Sequence, residues 1–238
     1  MDTQKRGDLN INGFGSANGG QFRHVTINGK GTVNSDIDCV EFDCNGSGTV
    51  NGNVVTNKAK INGNGKVKGN LDCKSLSVDG TAKIEHNLYA EQLKVAGKAS
   101  VGGKVRAEEI AIKGRLTVEG DCEAESFKAE SLFIIGGLLN ADEVDIKIFG
   151  ECKAREIGGQ TIRIKDKPAL MGLFKSFIQT QLETECIEGD KIELENTKAA
   201  VVRGNEITIG PKCEIGLVEY SGKLSVDKKA VVKESRKI

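Results

Sequence analysis

Two histidines, His24 and His86, are the residues of this sequence best suited to general acid and base catalysis. Such catalysis requires a nucleophile or a second acid or base beside the imidazole. Aligning the repeat described below places His86 at a corner where other repeats carry Gly52, Gly69 and Gly103. Because no partner can be placed beside either histidine, we interpret His86 as variation at a turn and predict that the protein is not an enzyme.

Seven cysteines are the candidate metal ligands, and none of them forms a CxxC pair. Cys39 and Cys73 share a column two coils apart, about 10 Å by strand spacing, which exceeds the reach of one zinc ion. Cys44 belongs to a different column. Most of the cysteines take positions that valine, isoleucine or alanine fill elsewhere, so we predict buried thiols, no metal site and a reducing compartment.

Glycine-rich stretches at 29–31 and 63–66 have the composition of phosphate-binding loops. No helix is predicted after either stretch, and the glycines recur with the structural period, so we interpret them as corners. The triplet at 51–53 is likewise interpreted as a turn rather than a carbohydrate or calcium site. The sequence therefore predicts no cofactor and no small-molecule substrate.

A repeat of seventeen residues, running from Val25 to about Ile146, positions all of these residues. Within each repeat apolar residues alternate with polar ones, which is the period of a strand with one buried face. Two columns are apolar in every repeat: Val25, Phe42, Ala59, Leu76, Leu93, Ile110, Phe127 and Val144, then Ile27, Cys44, Ile61, Val78, Val95, Ile112, Ala129 and Ile146.

Inward pairs within a repeat are spaced by six, six and five residues, which predicts three short strands per coil. Asn-Gly and Asp-Gly pairs, which tolerate positive φ, occupy one corner column: Asn28-Gly29, Asn45-Gly46, Asn62-Gly63 and Asp79-Gly80. A lone coil cannot bury its apolar side chains, but coils stacked about 4.8 Å apart bury a continuous column. The sequence therefore predicts an all-β fold, a triangular parallel β-solenoid of about 17 residues per coil.

Composition excludes several classes of function. Lysine and arginine balance aspartate and glutamate at 34 each, which removes the broad attraction to phosphate that a nucleic-acid partner would need. No stretch reaches the apolar length of a membrane span, and the N-terminal residues lack a secretory apolar segment. We therefore expect a cytoplasmic protein with no nucleic-acid partner.

The repeat also suggests how the chain is organised. We expect a flexible N-terminal tail over 1–22, the solenoid over 23–164, an insert over 165–186, further solenoid coils over 187–233 and a C-terminal tail over 234–238. Three apolar residues of the later coils, Ile207, Ile209 and Ile215, recur seventeen residues on as Leu224, Val226 and Val232.

The insert is the one segment with helical rather than strand periodicity, so we expect a short helix or loop there. Its apolar face is a candidate partner or membrane contact, formed by Leu170, Met171, Leu173, Phe174, Phe177 and Ile178. Packing is favoured over membrane contact because Lys175 is the only basic residue of 169–182. Arg163, Lys165 and Lys167 keep the membrane alternative open.

With its repeat established, the sequence resembles the bactofilins, bacterial polymer-forming cytoskeletal proteins, and in particular a Bacillus and Clostridium-like variety. The resemblance extends over nearly the whole chain. It rests on INGFGSANGG, on INGKGTVNSDIDC, VNGNV and VDGTAKIEHNL, and most specifically on IEGDKIELENTKAAVVRGNEITIGPKCEIGLVEY.

The resemblance implies a right-handed β-helix that assembles without nucleotide into nonpolar filaments. It also implies a scaffold role in cell shape, polar organisation or motility, including flagellar assembly. The implied partners are the chain itself in a homopolymer, a sibling bactofilin and the inner face of the cell membrane.

Polymer contacts are expected at the coil ends, where strand edges and a slice of the core would otherwise be uncovered. The candidates are Phe22, Val25 and Ile27 for the first coil and Val218, Tyr220, Leu224 and Val226 for the last coil. The alternative function is a solenoid acyltransferase resembling the hexapeptide-repeat enzymes, but those keep six residues per side and bring a histidine to an extended loop. A secreted adhesin or polysaccharide-cleaving β-helix would need export and a wide cleft.

Overall fold

A computed structural model of the protein describes residues 6–166 and 180–238, and all regular elements in those ranges are β-strands. They form a parallel β-solenoid of about 13 turns with roughly 17 residues per coil, which confirms the predicted fold class. The strands are β1 (Gly7–Ile11), β2 (Phe14–Ala17), β3 (Gly20–Ile27), β4 (Lys30–Val33), β5 (Ile37–Cys44), β6 (Ser47–Val50), β7 (Val54–Ile61), β8 (Asn64–Val67), β9 (Leu71–Val78), β10 (Thr81–Ile84), β11 (Leu88–Val95), β12 (Lys98–Val101), β13 (Val105–Ile112), β14 (Arg115–Val118), β15 (Cys122–Asp166), β16 (Leu182–Leu194), β17 (Thr197–Ile209), β18 (Glu214–Val226) and β19 (Val231–Lys237).

The strands divide between two compact units, Met1–Glu109 with Gly114–Val118 and Ile110–Lys113 with Glu119–Ile238. In the first unit, from β3 onward, each coil stacks on the next at an offset of seventeen residues. Val25 lies opposite Phe42, Phe42 opposite Ala59, and Ala59 opposite Leu76. These side chains are almost completely buried, and each large aliphatic one contributes about 1.5–3 kcal/mol to folding. The predicted column is therefore the core of this unit.

The Asn-Gly corners require glycine for a different reason from the one we expected. Among the described glycines only Gly20 has a positive φ, at 147°, so the expectation of positive φ at the corners is wrong. A Cβ on Gly46 would lie 2.1 Å from the carbonyl oxygen of Gly29, and one on Gly63 would lie 2.0 Å from that of Gly46. Successive coils approach so closely at this corner that no side chain fits between them.

Side-chain amides also join the coils at two corners. In one row each Nδ2 donates to the Oδ1 of the previous coil at 2.7–2.9 Å, through Asn12, Asn28, Asn45 and Asn62. In the other row each Oδ1 accepts from a backbone N–H of the following coil, through Asp36, Asn53, Asn70 and Asn87. The asparagines that sequence analysis treated as turn formers therefore also link the coils.

The first coil begins within the residues for which we expected a flexible tail. Strand β1 pairs in parallel with β3, and β2 pairs with β4. Leu9 lies opposite Val25 and Ile11 opposite Ile27, so both continue the buried columns one coil further upstream. This offset is sixteen residues rather than seventeen, so the coil does not fit the seventeen-residue period.

The second unit uses longer strands and a less regular offset. Leu182 of β16 lies opposite Thr197 of β17, an offset of fifteen residues. Between β17 and β18 the offset changes from sixteen to seventeen at a bulge between Gly204 and Glu206, after which Ile207 lies opposite Leu224. Ile209 opposite Val226 and Ile215 opposite Val232 complete the confirmation of the predicted seventeen-residue recurrence.

The structure also differs from the expected boundaries around the insert and at the C-terminus. Strand β15 runs to Asp166 and β16 starts at Leu182, so both ends of the 165–186 segment belong to strands. Residues 167–179, which include all six residues of the expected apolar face, lie outside the described part of the chain. Strand β19 extends through Lys237, into the segment expected to be a tail.

Candidate assembly surfaces at the first and last coils

The first coil presents an open strand edge. Among the described residues, β1 pairs only with β3 and β2 only with β4, so their other edges have no strand partner. Leu9 continues the column of Val25 but is half-buried, because no other strand of the described residues stacks over it. Phe14 on β2 is 91% exposed. Unpaired backbone groups beside uncovered apolar side chains are the features that favour strand addition.

Contacts between charged and polar side chains join the first coil to the second coil and the second coil to the third. Asp8 accepts hydrogen bonds from Arg23 at 3.0 Å, and its Oδ1 lies 3.2 Å from Nδ1 of His24. The Arg23 hydrogen bond is the largest of the effects that lower the pKa of Asp8 to about 2. Nε2 of His24 lies 3.6 Å from a carboxylate oxygen of Glu41. His24 is thus a surface bridge between coils, a role that sequence analysis did not find.

The last coil is open in the same way. Strand β19 pairs with Glu214–Tyr220 of β18 and leaves the end of β18 without an outer strand among the described residues. Leu224 and Val226 continue the buried columns of Ile207 and Ile209 in the preceding coil. Nevertheless, Leu224 is only half-buried and Val226 is 44% exposed. On the same coil Val231 is 58% exposed and Ile238 is 63% exposed.

The residues proposed from sequence for polymer contacts fall into two groups. Val25 and Ile27 are fully buried, with β1 on one side and β5 on the other, so the first coil does not lie where we expected it. Phe22 is half-buried opposite Gly7, which also places it one coil inside the end. The structure places Leu224 and Val226 on the open last coil. Val218 is fully buried and Tyr220 half-buried beneath β19.

The thiols have the character of core side chains. Six of the seven cysteines are buried, and Cys186 is half-buried. Burial raises the pKa of Cys73 and of Cys122 to about 12, and that of Cys152 and of Cys213 to about 11. These thiols stay protonated at neutral pH, a state in which sulfur is a poor nucleophile. No group of three or more potential metal ligands occurs within residues 6–166 and 180–238.

A groove of about 630 Å³ lies in the second unit. Gly159, Gly189, Gly204 and the half-buried Cys186 are among the residues that line it. Burial is the main cause of the raised pKa of Cys186. No histidine lines the groove, and His86 lies exposed in the bend before β11, at the corner predicted for it. The groove therefore lacks the histidine that the acyltransferase alternative calls for.

The stacked coils, apolar core columns and open ends define a protein of the parallel β-solenoid repeat class. More particularly, the family model of the bactofilins, described as polymer-forming cytoskeletal, matches residues 2–89. This confirms the resemblance inferred from the sequence. The C-terminal run that we considered most specific lies outside the residues that this family model matches.

Two relatives come from Bacillus subtilis strain 168, and both are named as uncharacterized proteins. The chain is 49% identical to YhbE over 105 residues, which are 44% of this chain and 44% of YhbE. It is 41% identical to YhbF over 103 residues, 43% of this chain and 42% of YhbF. The matches thus span less than half the length of either relative. No solved structure matches the chain.

None of the described residues forms a helix long and apolar enough to cross a membrane.

Proposed function

We propose that this chain is a self-assembling scaffold whose solenoid coils join end to end into filaments without a nucleotide. The match to the bactofilin family model supports a cytoskeletal scaffold role. The observation that carries the finer proposal is the pair of open coil ends, each with an unpaired strand edge beside uncovered apolar side chains. Covering such an edge with an equivalent edge adds backbone hydrogen bonds and removes apolar surface from water.

Negative-stain electron microscopy of the purified protein without nucleotide, with sedimentation at two salt concentrations, tests this proposal directly. We expect straight filaments a few nanometres wide and a fast-sedimenting fraction. A discrete species of small size under all conditions would contradict self-assembly.

Substitutions at the two ends test which surfaces meet. Leu9→Asp and Leu224→Asp each place a charge on an uncovered core column, where a stacked copy would have to bury it. Asn10→Asp and Ser225→Asp add the same charge one residue away, on exposed positions that face outward. We expect the leucine variants to shorten or abolish filaments and the controls to leave them unchanged. Circular dichroism would verify that each variant keeps its β-structure.

In the cell we propose a cytoplasmic homopolymer that supports cell shape, polar organisation or motility, with a sibling solenoid and the inner membrane surface as further partners. Co-sedimentation with anionic vesicles would test the membrane contact, for which the 167–179 segment remains the proposed site. The acyltransferase alternative predicts acyl-CoA binding. Isothermal titration with acetyl-CoA should detect no binding if the protein is a structural scaffold, as the members of its family are.

A further inference from the structure

Acidic and basic side chains alternate at matching positions of the last four coils, and the last of these side chains is an arginine. Glu188, Arg203, Glu219 and Arg236 occupy matching positions on β16, β17, β18 and β19. Arg203 lies 3.1 Å from Glu188 and 2.8 Å from Glu219, and Arg236 pairs with the other oxygen of Glu219. The Glu219 side chain is only 10% exposed, whereas that of Arg236 is 57% exposed. The next matching position, beyond Arg236, would suit a carboxylate.

The rest of the last coil is also basic. Residues 227–238 carry five basic side chains and two acidic ones, whereas residues 6–20 of the first coil carry one of each. Lys228, Lys229, Lys233 and Lys237 are exposed, and no carboxylate of the described residues forms an ion pair with any of them. Leu224 and Val226, which no outer strand of the described residues covers, end the strand directly before these lysines. The last coil therefore combines an apolar floor, formed by Leu224 and Val226, with a basic rim, formed by Lys228, Lys229, Lys233 and Lys237.

This charge opposes contact between the last coils of two copies. Stacked coils lie about 4.8 Å apart, well within the Debye length of roughly 8 Å at physiological ionic strength, so like charges on facing rims repel. Like-charge juxtaposition is a common means of suppressing one partner in favour of another. The first coil carries no such excess among its described residues.

We propose that the last coil is a docking surface for an acidic solenoid end, which it prefers to the last coil of a second copy. The partner would add a strand to the open edge of β19, cover Leu224 and Val226, and place a carboxylate beside Arg236. This inference rests on the proposed end-to-end assembly. A second copy can still join at the last coil, but an acidic end binds there more tightly.

A charge-reversed form of this chain can serve as the acidic partner. The variant Lys228→Glu, Lys229→Glu, Lys233→Glu and Lys237→Glu keeps the apolar floor and inverts the rim. The charge-reversed variant and the protein with its original rim would both carry Leu9→Asp. This substitution blocks contacts at the first coil, so that any association involves the last coil. Sedimentation velocity would compare each protein alone with their equimolar mixture, at about 0.01 M and about 1 M salt, where the Debye lengths are roughly 30 Å and 3 Å.

At low salt we expect the mixture to associate about tenfold or more tightly than either protein alone, and we expect this advantage to vanish at high salt. Arg236→Gln in the protein with the original rim should reduce the advantage. Reversing the exposed side-face lysines Lys58, Lys60, Lys94 and Lys98 instead should produce none. If the fourfold variant does not fold, Lys233→Glu with Lys237→Glu provides a milder partner for the same comparison.

Two results would overturn the inference. The first is that, at low salt, the protein with its original lysines associates with itself as tightly as with the charge-reversed variant. A second copy would then be the partner of the last coil. The second is that two folded proteins associate no more tightly in the mixture than alone. Charge would then not determine which partner the last coil prefers. Neither result touches the proposed scaffold function, since filaments of the unmodified chain are scored separately by microscopy.

Discussion

At the scale of the residue, the corner glycines separate two kinds of small-residue position. A Cβ on Gly63 would lie 2.0 Å from a backbone oxygen, which cannot move without separating two coils. A Cβ on Gly65 would have side-chain atoms of Ile61 as its nearest neighbours, at 3.1 Å, and the same column holds Ala82 and Ala99 in later coils. The two glycines therefore differ in how they should tolerate alanine, although both lie in one repeat.

We predict that Gly63→Ala lowers the free energy of unfolding by about 2 kcal/mol or more, because it forces the backbone apart at the corner. Gly65→Ala should change it by less than about 1 kcal/mol, since Ile61 can shift and the unfolded chain loses entropy. Urea unfolding followed by circular dichroism compares the two. Equal effects would mean that the close approach at the corner does not limit the side chain.

The cysteines allow a second prediction at this scale. Cys186 is half-buried, whereas Cys122 is completely buried and has its pKa raised to about 12. With a maleimide at neutral pH, we expect the native protein to be modified at Cys186 first and the other thiols to react only on unfolding. Mass spectrometry of the labelled protein identifies the site. In Cys186→Ser the native protein should take up almost no label, and rapid labelling of that variant would contradict the buried placement.

At the scale of the element, the first coil should loosen in acid before the coils behind it. The folded-state pKa of Asp8 is about 2, below its ordinary value of 3.8, because Arg23 and His24 stabilise the carboxylate. A depressed folded-state pKa means that the contact is fully present above pH 3.8 and is lost as the pH falls toward 2. We expect NMR signals of β1 to change over that range while those of β7 do not.

Substitution tests the same contact at neutral pH. Asp8→Asn removes the charge that attracts Arg23, so amide exchange in β1 should accelerate. Asp72→Asn removes a carboxylate from an exposed position on β9 and should leave β1 unchanged. If β1 exchanges at the same rate in both variants, hydrogen bonding to β3 alone holds the first coil.

How far the elements could be predicted depended on the regularity of the offset. Where coils repeat every seventeen residues, as from Val25 to Phe42, alternation and period identified the core columns directly. The first coil was missed because Leu9 precedes Val25 by sixteen residues, and the coil from Leu182 to Thr197 is shortened to fifteen. Such length changes alter no residue type, so only the pairing of strands in space reveals them.

The candidate surfaces were less predictable than the core for a related reason. Leu224 and Val226 were assigned to the last coil because their column continues from Ile207 and Ile209, one coil earlier. Val25 and Ile27 were assigned to the wrong coil because the true first coil did not fit the period. The contact between His24 and Asp8 joins residues that are sixteen apart. The predicted period of seventeen residues does not place these two side chains beside each other.

At the scale of the whole molecule, a solenoid has stability that depends on neighbouring coils rather than on one central core. In the first unit β7 is paired with β5 and β9, whereas β1 is paired only with β3 among the described residues. We therefore predict about tenfold or faster amide exchange in β1 than in β7 under native conditions. Hydrogen exchange followed by mass spectrometry resolves the individual strands.

A core substitution shows whether that dependence is local. Leu76 is fully buried in β9, so Leu76→Ala should cost about 2–5 kcal/mol. If coils are coupled mainly to their neighbours, exchange should accelerate most in β9, β7 and β11 and least in β1, with the outward-facing Ser77→Ala as the control. Equal acceleration in every strand would mean that the unit opens as a whole. Local coupling would suit a scaffold, because an end coil could open and accept a new strand while the interior coils stay closed.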